Sequence, residues 1–172
     1  MNKTEEASGR DAFASMEDNG LRHLVFSIKN EEYALPLLSV KEVIGMTGTT
    51  PIPQSPAYFK GVINLRGQII PIIDLRVKLG LLTHADGPET SIIILDYGTS
   101  CVGLVVDSIN CVLVFSSNEV VAATFSDNAL KHSCIREVAK KGDRLILSLD
   151  VELMLNISDR QILSQKNLKQ VA

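Results

Sequence analysis

Few side chains in this 172-residue chain are suited to covalent or metal chemistry, and their spacing does not assemble them. The cysteines are Cys101, Cys111 and Cys134, and the histidines are His23, His84 and His132. No CxxC occurs, and nothing approaches the three or four close-spaced ligands that zinc requires. His132 and Cys134 are near in sequence, but one intervening residue does not make a nucleophile and its base. Three thiols without a pairing pattern fit a reducing compartment and small half-buried side chains. Asp74 and Asp150 could be taken for paired carboxylates. Each, however, stands immediately before a short helical stretch, the position of a side chain that caps the first free amides of a helix. Neither GxGxxG nor GxxxxGK[ST] is present to cradle a phosphate. An enzyme or ligand-binding barrel would need a convergent set of polar groups. The expectation is therefore a non-enzymatic protein with no catalytic residues, cofactor or metal.

That leaves recognition. Composition narrows the partners: hydrophobic residues are 45%, charged ones 22%, aromatics 5%, Trp is absent and the formal net charge is −3. Such a chain can bury a core. It lacks the basic footprint and stacking rings of a nucleic-acid binder. No apolar run approaches the 18 residues of a membrane span, and the N-terminus has no hydrophobic signal region. No nucleic acid and no direct membrane insertion are expected.

The elements that position the remaining candidates can be read in order. Residues 1–20 are polar and mixed in charge and read as a flexible tail. Leu24–Ile28 and Tyr33–Leu37 form a hairpin about the turn at residues 29–32. Residues 39–44 lead from a helical turn into a strand closed by Gly45. Pro51, Pro53 and Pro56 impose an extended segment. Tyr58–Ile63 and Gln68–Ile73 are strands about the tip Asn64-Leu65-Arg66-Gly67, and Asp74 caps a short helix that ends at Gly80.

The pattern then repeats. Residues 93–113 follow the hydrophobic order of residues 24–44 at an offset of 69, and residues 145–151 follow 69–75 at an offset of 76. Each half supplies about five short strands, and small antiparallel sheets remove their edges by closing. The fold class expected is mainly β, as two five-stranded β-barrel subdomains with short helices. Subdomain 1 is expected at about 38–91, with strand exchange involving 21–37. Subdomain 2 is expected at about 92–157, followed at 158–172 by a short exposed helix capped from Ser158 and running to about Lys169, and a tail.

A duplication is its own control. Positions shared by both halves serve packing; positions that differ can carry a task of one half alone. Glu42 matches Cys111, and the Asn64-to-Gly67 tip matches the region of Lys140 to Asp143. Glu42 and Arg66 therefore stand out as particular to the first half. The planar guanidinium of an Arg at a hairpin tip suits directed hydrogen bonds to a partner's oxygens.

These residues carry a resemblance. FSIKNEEYALPLLSVKEVIG (26–45), then IPQSPAYFKGVINLRGQIIPIIDLRVKLG (52–80), IIILDYGTSCVGLVVDSINCVL and LILSLDVELML resemble the CheW family of chemotaxis coupling proteins. The resemblance spans about residues 22–157 and rests on V-x-E-V, G-V-I-N-L-R-G and P-I-I-D-L-R in order. It implies SH3-like barrels and adaptor work in bacterial chemotaxis signalling. The implied partners are the cytoplasmic domain of a chemoreceptor and the regulatory domain of the histidine kinase CheA. It implies a cytoplasmic protein recruited to receptor arrays at the inner face of the membrane. A related circuit, such as pilus-based motility, would use the same fold. The receptor-binding residues implied are Val40, Glu42, Asn64 and Arg66. Kinase contacts are implied at apolar strand ends. One position departs from the pattern: Glu137 stands where the first half has Gly61, and the family carries Gly there.

Overall fold

The computed structural model describes residues 21–81, 84–123 and 134–164. Eleven strands dominate it. They are β1 (Arg22–Ile28), β2 (Glu31–Pro36), β3 (Val40–Gly45), β4 (Phe59–Leu65), β5 (Gln68–Asp74), β6 (Ser91–Tyr97), β7 (Ser100–Val106), β8 (Ser108–Val114), β9 (Val120–Ala122), β10 (Ile135–Lys141) and β11 (Arg144–Leu149). Short helices α1 (Leu75–Lys78) and α2 (Val151–Met154) follow the ends of β5 and β11, and α3 (Ile157–Leu163) follows α2. The offset repeat is physical. Shifting β1 by 69 gives β6, and shifting β4 by 76 gives β10, residue for residue.

One sheet has the order β3-β6-β7-β5-β4 and the other β8-β1-β2-β11-β10-β9. In the first, Thr50, beyond β3, exchanges two backbone hydrogen bonds with Val62 of β4 at 2.8 and 2.9 Å and joins the two ends. In the second, β9 follows β8 and pairs with β10. These are the two SH3-like barrels, barrel 1 and barrel 2.

Their boundaries differ from those expected. The division near residue 92 assigned β6 and β7 to the second subdomain; they pair with β3 and β5 instead. Barrel 1 is thus the continuous run from Val40 to Val106, and barrel 2 takes the β1–β2 hairpin together with residues 108–149. Each repeat lends its first hairpin to the other barrel. Local pattern predicts that a hairpin forms, not which distant edge it joins.

The exchange explains the apolar run at 92–95. Ile92 and Ile94 point into barrel 1, while Ile93 and Leu95 join Leu24, Phe26, Leu35, Val102 and Leu104 in the layer between barrels. A strand buried on both faces has no polar alternation. Val25, Ala34, Phe115, Ala139 and Ile146 fill barrel 2.

Asp74 and Asp150 are the helix caps expected, accepting from the amides of Arg76 and of Glu152 and Leu153 respectively. The C-terminal helix differs from expectation. Its cap is Asn156, in a reciprocal box with Asp159, rather than Ser158. It is not an exposed helix either: Asp159 is buried, donated to by the Tyr58 hydroxyl at 2.7 Å and Lys78 Nζ at 2.6 Å. The expected continuation to Lys169, the 1–20 tail and His132 lie outside the described residues.

Gly61 has φ +129°, and a Cβ there would lie 2.2 Å from the Thr50 carbonyl oxygen, so barrel 1 closes only over glycine. The matching strand of barrel 2 keeps the same register shift, between Ile135 and Glu137. Glu137 is not among the positive-φ residues, and it pairs regularly with Ala122. The second barrel closes instead through a three-residue ladder between β9 and β10.

Candidate functional site

The register of β3 builds the site. Val40 pairs with Leu95 and Glu42 with Ile94, so Lys41 is bulged out. Directly opposed residues share a sheet face, and consecutive ones do not. Val40 therefore packs half-buried toward the inter-barrel core, while Glu42 turns to the other face, at the open end of barrel 1. Unbulged alternation would have put the two side chains on one face.

Arg66 reaches Glu42 from the β4–β5 turn. Leu65 pairs with Gln68, and the two residues between, Arg66 at φ 52° and Gly67 at φ 86°, are both left-handed. Two positive φ values in a two-residue loop match the twist of the flanking strands. Asn64 Oδ1 fastens this turn by accepting from the Gly67 amide at 2.8 Å. From it, Arg66 Nη1 and Nη2 donate to Glu42 Oε1 and Oε2 at 2.7 and 3.0 Å. The Arg66 side chain is 74% exposed and that of Glu42 24%. The hydrogen bonds from Arg66 hold the Glu42 carboxyl below its usual range.

The structure thus brings Glu42, Asn64 and Arg66 together and directs Val40 partly elsewhere. It also makes Glu42 and Arg66 partners of each other. In the free protein Glu42 orients the guanidinium, and the donors of Arg66 beyond those two bonds remain for an incoming acceptor. Lys41 Nζ and Gln68 Nε2 flank the site, each within hydrogen-bonding range of the buried Cys101 Sγ, at 3.5 and 3.6 Å.

The comparison of halves treated this pair as unique to the first, and here the structure corrects it. Barrel 2 has its own fork at the matching end. Arg144 Nε and Nη2 donate to Glu32 Oε2 and Oε1 at 2.8 and 2.7 Å, with Cys111 Sγ 3.8 Å from Nη2. Under the two offsets Glu42 corresponds to Cys111, Cys101 to Glu32 and Gln68 to Arg144. Each barrel end holds one carboxylate, one thiol and one guanidinium, with carboxylate and thiol exchanged between strands. Position-by-position comparison cannot see that exchange. The ends still differ in exposure: Arg144 is 42% exposed, and Asn110 Nδ2 also donates to Glu32 at 2.8 Å.

A separate groove of about 530 Å³ lies between the barrels, lined by Leu21, Pro36, Ser39, Asp96, Tyr97 and Asp150 among others, and none of the four expected recognition residues lines it. Among the described residues, no three His, Cys, Asp or Glu side chains are grouped to hold a metal ion. No helix there is long and apolar enough to cross a membrane.

Comparison with known proteins identifies the architecture. The family model for a CheW-like domain matches residues 22–159. A chemotaxis protein CheW from Klebsiella aerogenes is 35% identical over 140 residues, covering 81% of this chain and 84% of its own. Chemotaxis protein CheW from Bacillus subtilis is 32% identical over 142 residues, at 83% and 91% coverage. The crystal structure of scaffolding protein TtCheW from Thermoanaerobacter tengcongensis superposes with a TM-score of 0.72 at 29% identity, covering 81% of this chain and 95% of that one. Fold, extent and identity agree: the chain belongs to the CheW family, and it is an adaptor of chemotaxis signalling rather than an enzyme.

Proposed function

We propose that the Glu42–Arg66 end of barrel 1 docks the cytoplasmic tip of a chemoreceptor while barrel 2 engages the regulatory domain of the kinase CheA. The observation that carries this is the preformed fork. An exposed guanidinium is held in one orientation by Glu42, on a turn fastened by Asn64. Orienting a long side chain before binding lowers the entropy lost on association. Arg66 then donates to carbonyl or carboxylate oxygens of a helical hairpin, and the exposed part of Val40 packs on an apolar face of it. The exposed Val112, Val121 and Leu145 of barrel 2 support a separate apolar contact for the kinase. The protein is recruited by these contacts to receptor arrays at the inner face of the membrane. Each contact is modest, and repetition in the array supplies the avidity. The chemotaxis names of its relatives favour this circuit over pilus motility.

The test is receptor pull-down and receptor-controlled kinase activity for Arg66→Ala and Glu42→Ala, with folding followed by circular dichroism. Loss of both readouts with an unchanged spectrum is expected. Wild-type coupling in both variants overturns the assignment.

A further inference from the structure

Asp107 alone joins β7 to β8 and carries the chain from barrel 1 to barrel 2. Its amide donates to the Ser27 carbonyl at 3.1 Å. Its Oδ2 accepts from the Lys29 amide at 2.7 Å, and its Oδ1 from Arg76 Nη1 at 3.1 Å. Arg76 is 2% exposed and also donates to Asp74, at 2.9 and 2.7 Å, and to Asp86 at 2.7 Å. Lys60 Nζ donates to Asp86 at 2.8 Å and lies 3.8 Å from Asp74. Three carboxylates thus face two permanent cations.

His84 is the sixth member. Its Nε2 lies 3.2 Å from Asp107 Oδ2 and its Nδ1 lies 3.0 Å from the Ala85 carbonyl oxygen. Both neighbours are acceptors. A neutral imidazole has one N–H and can donate to only one of them; the imidazolium donates to both. The arrangement is that of the charged ring, which also balances the third carboxylate. The charged groups facing the ring are Asp107, which favours the cation, and Arg76, which opposes it.

We propose that the segment of residues 84–90 is a pH-responsive clasp: protonated His84 fastens its leading end to Asp107 at the joint between barrels, and deprotonation, which leaves one N–H for two acceptors and removes the ring's charge, loosens that end while Asp86 stays anchored. The Ala85 carbonyl first, and Asp107 next, raise the affinity of this ring for its proton above the ordinary value. A group with a raised folded-state pKa contributes fully below its unfolded value, about 6.5 for His, and loses the contribution as pH rises through the folded value. The clasp therefore loosens as pH rises above the ordinary histidine value of about 6.5.

The test is nuclear magnetic resonance on the full chain: the titration of His84 and the backbone order parameters of Ala85 and Asp86 at pH 6 and pH 8.5. The expected result is a His84 midpoint above about 6.5 and an Ala85 order parameter that falls from the rigid range near 0.85 toward about 0.6 as the ring deprotonates. H84Q is expected to give the low value at both pH values, and H84R, permanently charged, the high value at both. The ring is exposed, so both variants should fold. A His84 midpoint at or below about 6.5, an Ala85 order parameter independent of pH, or a pH response retained in H84Q each overturns the clasp.

Discussion

Replacing Arg76 with Met tests the account of the seam most directly. The side chain is 2% exposed and donates to three carboxylates drawn from β5, the 84–90 segment and the β7–β8 joint. Met fills similar volume but leaves the three carboxylates with Lys60, which reaches Asp86 and lies near Asp74, and removes the permanent cation from Asp107. Removing one partner of a buried ion pair typically costs about 3–5 kcal/mol, because an uncompensated charge remains. With a urea dependence of about 2 kcal/mol per molar, the unfolding midpoint should drop by about 1.5–2.5 M. A domain in the upper part of the usual range of about 5–15 kcal/mol stays folded after that loss and can be measured. Arg76→Lys should fall between, since an ammonium lacks the fork that reaches three acceptors at fixed angles. Equilibrium urea unfolding followed by circular dichroism is the assay. A midpoint shift under about 0.5 M, with unchanged slope, would refute the view that this guanidinium organises the seam.

Other outcomes follow from the same structure. Gly61→Ala should destabilise by at least about 2 kcal/mol, because the position is left-handed and the methyl meets the Thr50 carbonyl; calorimetry should show a lower Tm, whereas Glu137→Ala should change little. Asp150→Ala should cost about 1 kcal/mol in urea unfolding through loss of the α2 cap. Acid should act on the seam. For Asp86 and Asp107, burial pushes the carboxyls up, but bonds from Lys60 and Arg76, and from the Lys29 amide and Arg76, outweigh it and hold them low. Depressed folded-state values mean that the contribution is present above the unfolded value, about 3.9 for Asp, and is lost as pH falls through the folded one. Stability measured from pH 5 downward should therefore fall less steeply in Arg76→Met than in wild type.

The repeat, the hairpins and both Asp caps were legible in the sequence because each is a local pattern: alternation, a turn residue, a cap before a helix. Of the four expected recognition residues, Glu42 and Arg66 stood out when the halves were compared and Val40 and Asn64 only through a family pattern; the geometry of all four was not legible. The bulge at Lys41 that separates Val40 from Glu42 leaves no mark in residue type. The Glu32–Arg144 fork was hidden because carboxylate and thiol change strands between the halves. Arg76 reads as a solvated helix residue, since Arg is rarely buried without partners, and two of its partners lie 10 and 31 residues away. The exchange of hairpins was invisible for the related reason that edge pairing depends on contacts remote in the chain.

The exchange has a consequence for biosynthesis. Barrel 1 is one uninterrupted stretch, whereas β1 and β2 leave the ribosome first and find their last partner only when β11 has been made, some 110 residues later. At about 5–20 residues per second the β1–β2 hairpin waits roughly 5–20 seconds for that partner. Barrel 1 is complete before β11 is made, and its outer β6–β7 face is the surface on which Leu24, Phe26 and Leu35 of the waiting hairpin pack in the finished fold.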